Sequence, residues 1–352
     1  MSAVEEKIHP RPAADVLAWG RALIGPALRE AVESLPEAVR RIVGYHFGWS
    51  DEQGRPAGEA DEAGGGKAIR PALVLLSAEV VGGEAADAVP AAVAVELTHN
   101  FSLLHDDVMD GDTSRRHRAT AWTIFGRGPA ILAGDALMTL AFDVLAAAGR
   151  PAARRAARAL GAAVLELIDG QYSDVSFERR DDVALAECQA MATAKTGALL
   201  GGACALGALY GGAPDERVEH LGAFGRHLGL AFQHVDDLLG IWGDPGVTGK
   251  PVYSDLRNRK KSLPVVAALT SDTPAGRELA ALYRSAHPLT DPELARAARL
   301  VEEAGGRAWS QAEADGLLAT ATRELDWAQT GASARAAAEL QSLARLVTRR
   351  DH

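Results

Sequence analysis

Apolar residues recur at three- and four-residue spacing over most of the 352-residue chain, while alternating runs of Val, Ile, Tyr and Phe are scarce. That spacing lines one face of a helix, and its dominance predicts an all-α protein rich in Ala and Leu. Two stretches show the period most clearly. Between Ala91 and Asp112 the stripe is Val93, Leu97, Phe101, Leu104 and Val108; between His220 and Asp244 it is Phe224, Leu228, Phe232, Val235, Leu239 and Trp242. Short Gly- and Pro-rich breaks interrupt the pattern at 54–66, 126–129, 211–214, 243–251 and 271–274. None is long enough for an interdomain linker, and no repeat of fixed period is visible. The pattern therefore predicts a single helical domain over 1–352, with a polar loop at 49–66 and a helical portion over 266–352.

Composition narrows the class. Lys and Arg total 37 against 47 Asp and Glu, a formal net charge of −10, which disfavours a nucleic-acid binder because that function needs a basic footprint. Two cysteines, Cys188 and Cys204, supply neither a disulfide framework nor a four-ligand zinc site. Glu5, Glu6 and Lys7 with two early prolines break up the N-terminus, so it does not read as a signal peptide. The uncharged stretch from Thr196 to Pro214 approaches the length of a membrane-spanning helix. Six of its 19 residues are Gly, which suits close helix approach inside a bundle better than a lipid-facing span. The expectation is a soluble cytoplasmic protein with no transmembrane segment and no nucleic-acid partner.

The acids are placed oddly for a chain of this kind. Glu96, His99, Asp106 and Asp110 share a second stripe on the first helix, with Asp107 beside it. Asp106 and Asp110 stand one turn and about 40° apart at roughly 100° per residue. Like charges so spaced weaken a helix by a few tenths of a kcal/mol, and an apolar surface beside them adds a desolvation cost. An isolated Asp-Asp-x-x-Asp reads as a solvated face. Arg115 and Arg116 just downstream, with His99 upstream, turn it toward carboxylates for a hard divalent ion beside guanidiniums for phosphate. An EF-hand starting at Asp110 is excluded, because its sixth and twelfth positions are Arg115 and Ala121.

The second helix repeats the design with Gln233, Asp236 and Asp237 off the apolar stripe and Asp244 eight residues after Asp236. Gly249-Lys250-Pro251 and Lys260-Lys261 follow it. Upstream, Gly64-Gly65-Gly66-Lys67-Ala68-Ile69-Arg70-Pro71 could bring backbone N–H groups and two cations to an anion. Neither Gly-Lys pair is a P-loop, since both lack the earlier glycine and the following Ser or Thr.

In order along the chain, Gly65-Gly66-Lys67…Arg70-Pro71, His99 through Asp110, Arg115-Arg116, Lys195-Thr196-Gly197, Phe232-Gln233…Asp236-Asp237, Gly249-Lys250 and Lys260-Lys261 resemble the trans-isoprenyl diphosphate synthases. The resemblance covers a motif-bearing core of about 60–265. It implies the all-α isoprenoid synthase fold, with a central cavity between the two acidic helices. It also implies a reaction in which about three Mg²⁺ ions bridge carboxylates to an allylic diphosphate, whose allyl cation then alkylates isopentenyl diphosphate. On that resemblance Asp106, Asp107, Asp110 and Asp236 are metal ligands and Asp237 belongs to the catalytic set. Lys67, Arg70, His99 and Arg116 bind isopentenyl diphosphate. Arg115, Lys195, Lys250 and Lys260 hold the allylic diphosphate, while Thr196 and Gln233 face the cation. Phe101, about 7.5 Å deeper than Asp106 at 1.5 Å per residue, would set chain length together with Ser102. The product then looks most like geranylgeranyl diphosphate, with farnesyl diphosphate next, and a homodimer is implied.

One position departs. The family has Asp four residues after Asp236, and here it is Gly240, with Asp244 further on. That leaves a class I terpene cyclase open as an alternative, since Asp236, Gly240 and Asp244 occupy its ligand spacing, and a non-catalytic partner subunit as another. A cyclase has no need of an isopentenyl diphosphate site, so Lys67, Arg70, His99 and Arg116 favour chain elongation.

Overall fold

The computed structural model describes residues 9–57, 68–116, 118–248, 251–285, 287–329 and 334–348. Helices account for nearly all regular structure. The strands among the described residues are one antiparallel pair of two residues each, Ser114–Arg115 with Arg118–Ala119. The chain forms two compact units, one of residues 1–161, 202–222 and 324–343, the other of 162–201, 223–323 and 344–352. Each boundary falls inside a helix, never in a linker.

The first unit holds the helices Ala13–Glu33, Glu37–Phe47, Ile69–Val80, Val89–Asp110 and Arg127–Ala147. Ile69–Val80 is apolar apart from Arg70, Ser77 and Glu79 and is correspondingly buried, from Pro71 through Ala78 and again at Val80. The Gly-rich stretch flagged in the sequence packs against it. A Cβ on Gly207 would lie 2.1 Å from the Val74 carbonyl oxygen, and one on Gly211 would lie 2.7 Å from that of Ala78. Only glycine permits this approach, which is why small residues crowd 196–214. The Val89–Asp110 helix buries Val93, Leu97, Phe101 and Leu104 of the expected stripe. It ends at Gly111, whose left-handed φ of 69° stops the helix one residue after Asp110.

The second unit centres on a core of Ile241, Leu256, Val265, Leu279, Leu294, Leu300 and Val301. Its distinctive local feature is a π-helical turn, Thr193–Gly197, set between the helices Leu185–Ala192 and Ala198–Tyr210. Two further helices lie directly on that turn. A Cβ on Gly170 would stand 2.3 Å from the Lys195 backbone nitrogen, and one on Gly229 would stand 2.6 Å from the Gly197 Cα. Two helical stretches, Arg127–Ala147 and Leu185–Tyr210, are long and apolar enough to cross a membrane by length and composition; 78% of the second one's apolar window is buried inside the protein.

Candidate active site: two acidic clusters

In the first unit the Val89–Asp110 helix splits its three C-terminal acids between two faces. Asp106 is half-buried and Asp110 exposed, one turn apart as the spacing required. Asp107 points inward and is 1% exposed. Its Oδ1 accepts from Arg115 Nε at 2.7 Å, and Arg115 Nη2 stands 2.7 Å from the same oxygen. Burial raises the Asp107 pKa in spite of Arg115, and Asp107 in turn outweighs burial at Arg115 and keeps that guanidinium charged. The other oxygen, Asp107 Oδ2, is buried with no hydrogen-bond partner among the described residues. A buried carboxylate oxygen left over beside two accessible carboxylates fits a hard divalent cation.

The hairpin that carries Arg115 turns at Arg116, which adopts a left-handed φ of 52°. Among the described residues, four of the five non-glycine positions with positive φ, Ala68, Arg116, Tyr253 and Arg259, lie at or within two residues of charged groups of the two clusters. Strain of this kind persists where the surroundings over-determine the backbone, as they do around functional groups.

Behind Asp107 the first unit gathers Arg70, His99 and Arg116 around a half-buried acid, Glu96. Arg70 Nη1 lies 3.1 Å from His99 Nε2. A guanidinium can only donate, so His99 accepts at Nε2 and carries its proton on Nδ1. Asn100 Nδ2 donates to Glu96 Oε1 at 3.0 Å and to the Glu96 carbonyl at 2.8 Å, and Asn100 Oδ1 faces His46 Nε2 at 3.1 Å. Burial first, then the arginines, drives the His99 pKa well below the usual range and that of His46 to about 3, so both rings are neutral. Burial lowers Arg70 to about 10, against the pull of Glu96. Burial raises Glu96, opposed by Arg70, Asn100, Arg116 and Arg21. A cavity of about 240 Å³ opens beside this group, lined by Arg21, Arg116, Glu96, Phe47 and Trp49 among others. Glu96 was visible as a stripe residue; His46, Asn100 and Arg21 carried no sequence signal. Lys67 lies outside the described residues, as does Lys250.

Phe101 and Ser102, expected to set chain length, are both buried. Phe101 packs edge-on to the His105 ring, with centroids 4.9 Å apart. The Ser102 hydroxyl donates to the His99 carbonyl at 2.8 Å, a bond within its own helix.

In the second unit the Asp215–Trp242 helix leaves Asp236 exposed and buries Asp237. Gln233 Nε2 donates to Asp237 Oδ1 at 2.8 Å, the Leu263 N–H donates to Oδ2 at 2.9 Å, and Lys260 Nζ stands 4.0 Å from Oδ1. The Thr196 hydroxyl donates to Gln233 Oε1 at 2.6 Å, so Thr196, Gln233 and Asp237 form one chain of hydrogen bonds. Lys195 Nζ, placed by the π-turn, donates to Asp174 Oδ2 at 2.6 Å. Such single π-turns are often found where a helix must aim a functional side chain. Burial pushes Asp237 up to about 6, with Lys260 opposing it. Burial would raise Asp174 too, but Lys195 and Lys260 outweigh it and hold that carboxyl below its ordinary value. Lys260 is half-buried, and Asp255, Asp237, Asp174 and Asp236 more than offset the desolvation and raise its pKa. Asp174, Asp255 and Gln171 were missed by the sequence reading. Gln171 sits one turn before Asp174, buried, with both amide atoms unpartnered among the described residues.

An almost wholly helical chain carrying two such carboxylate-and-cation clusters has the isoprenoid synthase fold. Residues 60–301 match the family model described as Polyprenyl synthetase, and the chain belongs to that family. It is 48% identical, over 99% of both chains, to a protein of Mycobacterium tuberculosis named (2E,6E)-farnesyl diphosphate synthase. It is 45% identical to the geranylgeranyl diphosphate synthase of the same organism, covering 96% of this chain and 93% of that one. A crystal structure of a polyprenyl synthetase from Streptomyces coelicolor A3(2) superposes with a TM-score of 0.89 at 49% identity, covering 95% of this chain and 98% of the other.

Proposed function

We propose that the protein is a Mg²⁺-dependent prenyltransferase that condenses isopentenyl diphosphate with an allylic diphosphate to give a short-chain isoprenyl diphosphate. The observation that carries this reading is the grouping of Arg70, His99 and Arg116 around half-buried Glu96 in the first unit, since an enzyme acting on a single allylic diphosphate has no use for it. Guanidiniums grip a diphosphate through paired N–H donors, and a neutral histidine adds a directed contact without a further charge. Asp106, Asp107, Asp110 and Asp236 would hold about three Mg²⁺ ions, which when bound neutralise the charge developing on a diphosphate leaving group. Arg115, kept charged by Asp107, together with Lys195, which pairs with Asp174, and Lys260, which stands beside Asp237, bind the allylic diphosphate. The Thr196 hydroxyl is committed as a donor to Gln233, so its oxygen lone pairs remain to face an allylic cation.

The cyclase alternative drew on Asp236, Gly240 and Asp244. Asp244 is exposed and accepts from the Gly246 N–H at 2.7 Å, closing its own turn, which accounts for it without a ligand role. The proposal includes a soluble cytoplasmic location and a homodimer, both on the resemblance. Identities of 48% and 45% to a farnesyl and a geranylgeranyl synthase do not separate a C15 from a C20 product; Phe101 carries the expectation of geranylgeranyl diphosphate. Incubation with Mg²⁺, labelled isopentenyl diphosphate and each allylic diphosphate from C5 to C20 tests the reading. Incorporation with a defined product length is expected, and no incorporation with any primer overturns it.

A further inference from the structure

Lys260 and Lys261 are neighbours in the chain and go to different surroundings. Lys260 meets the carboxylates of the second acidic cluster. Lys261 instead lines a cavity of about 330 Å³ in the second unit, walled by residues 181–184 and by the helices Leu263–Leu269 and Pro274–Tyr283. Most of the wall is apolar, through Val183, Val266, Leu269 and the Tyr283 ring. Lys261 is only 8% exposed, yet among the described residues its ammonium forms neither an ion pair nor a hydrogen bond. The Tyr283 ring, with its centroid 5.5 Å from Nζ, offers a cation–π contact but no counter-charge. That ring is held in place by its hydroxyl, which donates to the Lys260 carbonyl at 3.5 Å. Burial lowers the Lys261 pKa; Asp181 opposes the shift and Arg259 adds to it. An ammonium so nearly enclosed is costly to hold without an anion beside it.

We propose that this cavity is a binding site for a small monocarboxylate with an apolar body, its head paired with Lys261 and its body lying against Val183, Val266, Leu269 and the Tyr283 ring. The charges around the cavity select the head. Asp182 is engaged by Arg180, whose Nε stands 2.9 Å from its Oδ1. That leaves Lys261 and the exposed Arg284 against the exposed Asp181, a single surplus positive charge. Arg284, like Lys261, has no ion pair among the described residues. One surplus charge suits a carboxylate; a diphosphate brings more negative charge than this lining neutralises, and Asp181 repels it. The cavity also has the size and character of a small-molecule site, in which a few polar groups orient an otherwise apolar ligand. None of its lining residues takes part in the condensation proposed above, and the assignment does not rest on that reading.

The test is calorimetric titration of the full chain with octanoate, with and without Mg²⁺ and inorganic pyrophosphate. Saturable binding at one site per chain is expected, with a Kd of roughly 0.1–1 mM. Saturating Mg²⁺ and pyrophosphate should leave that Kd within about twofold, because the diphosphate occupies a different place. Acetate lacks the apolar body and octanol lacks the charge, so each should bind the parent at least roughly tenfold more weakly. Lys261→Met keeps an unbranched apolar stem and removes the charge; it should weaken octanoate roughly tenfold. Arg284→Ala, at an exposed position, should weaken it about threefold. No saturable binding overturns the proposal, as does octanol binding as tightly as octanoate. An unchanged Kd in a Lys261→Met variant with parental circular dichroism overturns it too. So does displacement of octanoate by pyrophosphate, which would put the carboxylate in the diphosphate site. If Lys261→Met does not fold, the comparison of octanoate with octanol and acetate on the parent chain decides.

Discussion

The two units use different cations for related tasks. In the first, the half-buried positive groups at the cluster are arginines, Arg70, Arg115 and Arg116, disposed around Glu96 and Asp107 with two neutral histidines. In the second they are lysines, Lys195 and Lys260, outnumbered by carboxylates. An arginine fork fixes the orientation of a diphosphate that stays intact, whereas an ammonium is a compact charge that can follow a diphosphate as it leaves. On the proposed assignment Arg70 and Arg116 serve the diphosphate that is kept, while Arg115 joins Lys195 and Lys260 at the one that leaves.

The sharpest way to break this picture is at the metal. Asp106→Ala should reduce isopentenyl incorporation by a hundred- to roughly a thousandfold, the usual scale for removing one element of charge stabilisation. Retained activity would leave the acidic end of the Val89–Asp110 helix as a mere solvated face. The next effect separates the two units. Arg116→Leu should raise the KM for isopentenyl diphosphate by roughly thirty- to a hundredfold and leave that for the allylic substrate nearly unchanged, while Lys195→Met should do the reverse. Equal effects on both substrates from either variant would erase the distinction.

Much of this was legible in the chain, and the boundary has a physical cause. A helical stripe such as Val93, Leu97, Phe101 and Leu104 is a local property and reads directly from spacing, as does the pairing of Asp106 with Asp110. The glycines of 196–214 announced close packing but not its partner, which proved to be the Val74 and Ala78 backbone. Contacts made through the fold left weaker marks. Arg115 reaches Asp107 only because the hairpin reverses at Arg116, and Lys195 meets Asp174 only because the π-turn re-aims it. Asp255 stands 15 residues from Gly240 in a segment with no motif of its own, so nothing in the sequence placed its carboxylate against that glycine.

Acid should expose the contrast between the units as a difference in stability. His46 and His99 are depressed by burial, and groups of that kind contribute stability that is present above their unfolded value of 6.5 and lost as pH falls toward the folded one. Between pH 7 and 5, His46 alone costs about 2 kcal/mol, with His99 adding in the same direction. In the second unit His234, lowered by burial to about 4, acts likewise, but Asp237 acts oppositely. Its pKa of about 6 is raised above the ordinary 3.8, so the stability it contributes is present at low pH and is lost as pH rises through 6. Hydrogen-exchange protection should therefore fall more in the Glu37–Phe47 helix, which carries His46, than in the 223–242 part of the Asp215–Trp242 helix, where Asp237 opposes His234, as pH drops from 7 to 5. Equal losses would show that the histidines do not set acid sensitivity.

The smallest expected change concerns product rather than rate. Phe101 is buried below Asp106, and its ring meets the edge of His105, which itself lies where a Cβ on Gly134 would be only 2.4 Å from the imidazole. His105 is thus fixed from one side, and the Phe101 ring cannot be replaced by a simple shift of its neighbour. Phe101→Ala should leave a space that stays open rather than collapsing, at some cost in stability from the lost burial. If Phe101 stops the growing chain, that space admits at least one further five-carbon unit, and the product distribution with a C15 primer should move upward while the KM values for both diphosphates stay near the parent's. An unchanged product length in a folded variant would place the floor elsewhere and make Phe101 a core residue of the first acidic helix alone.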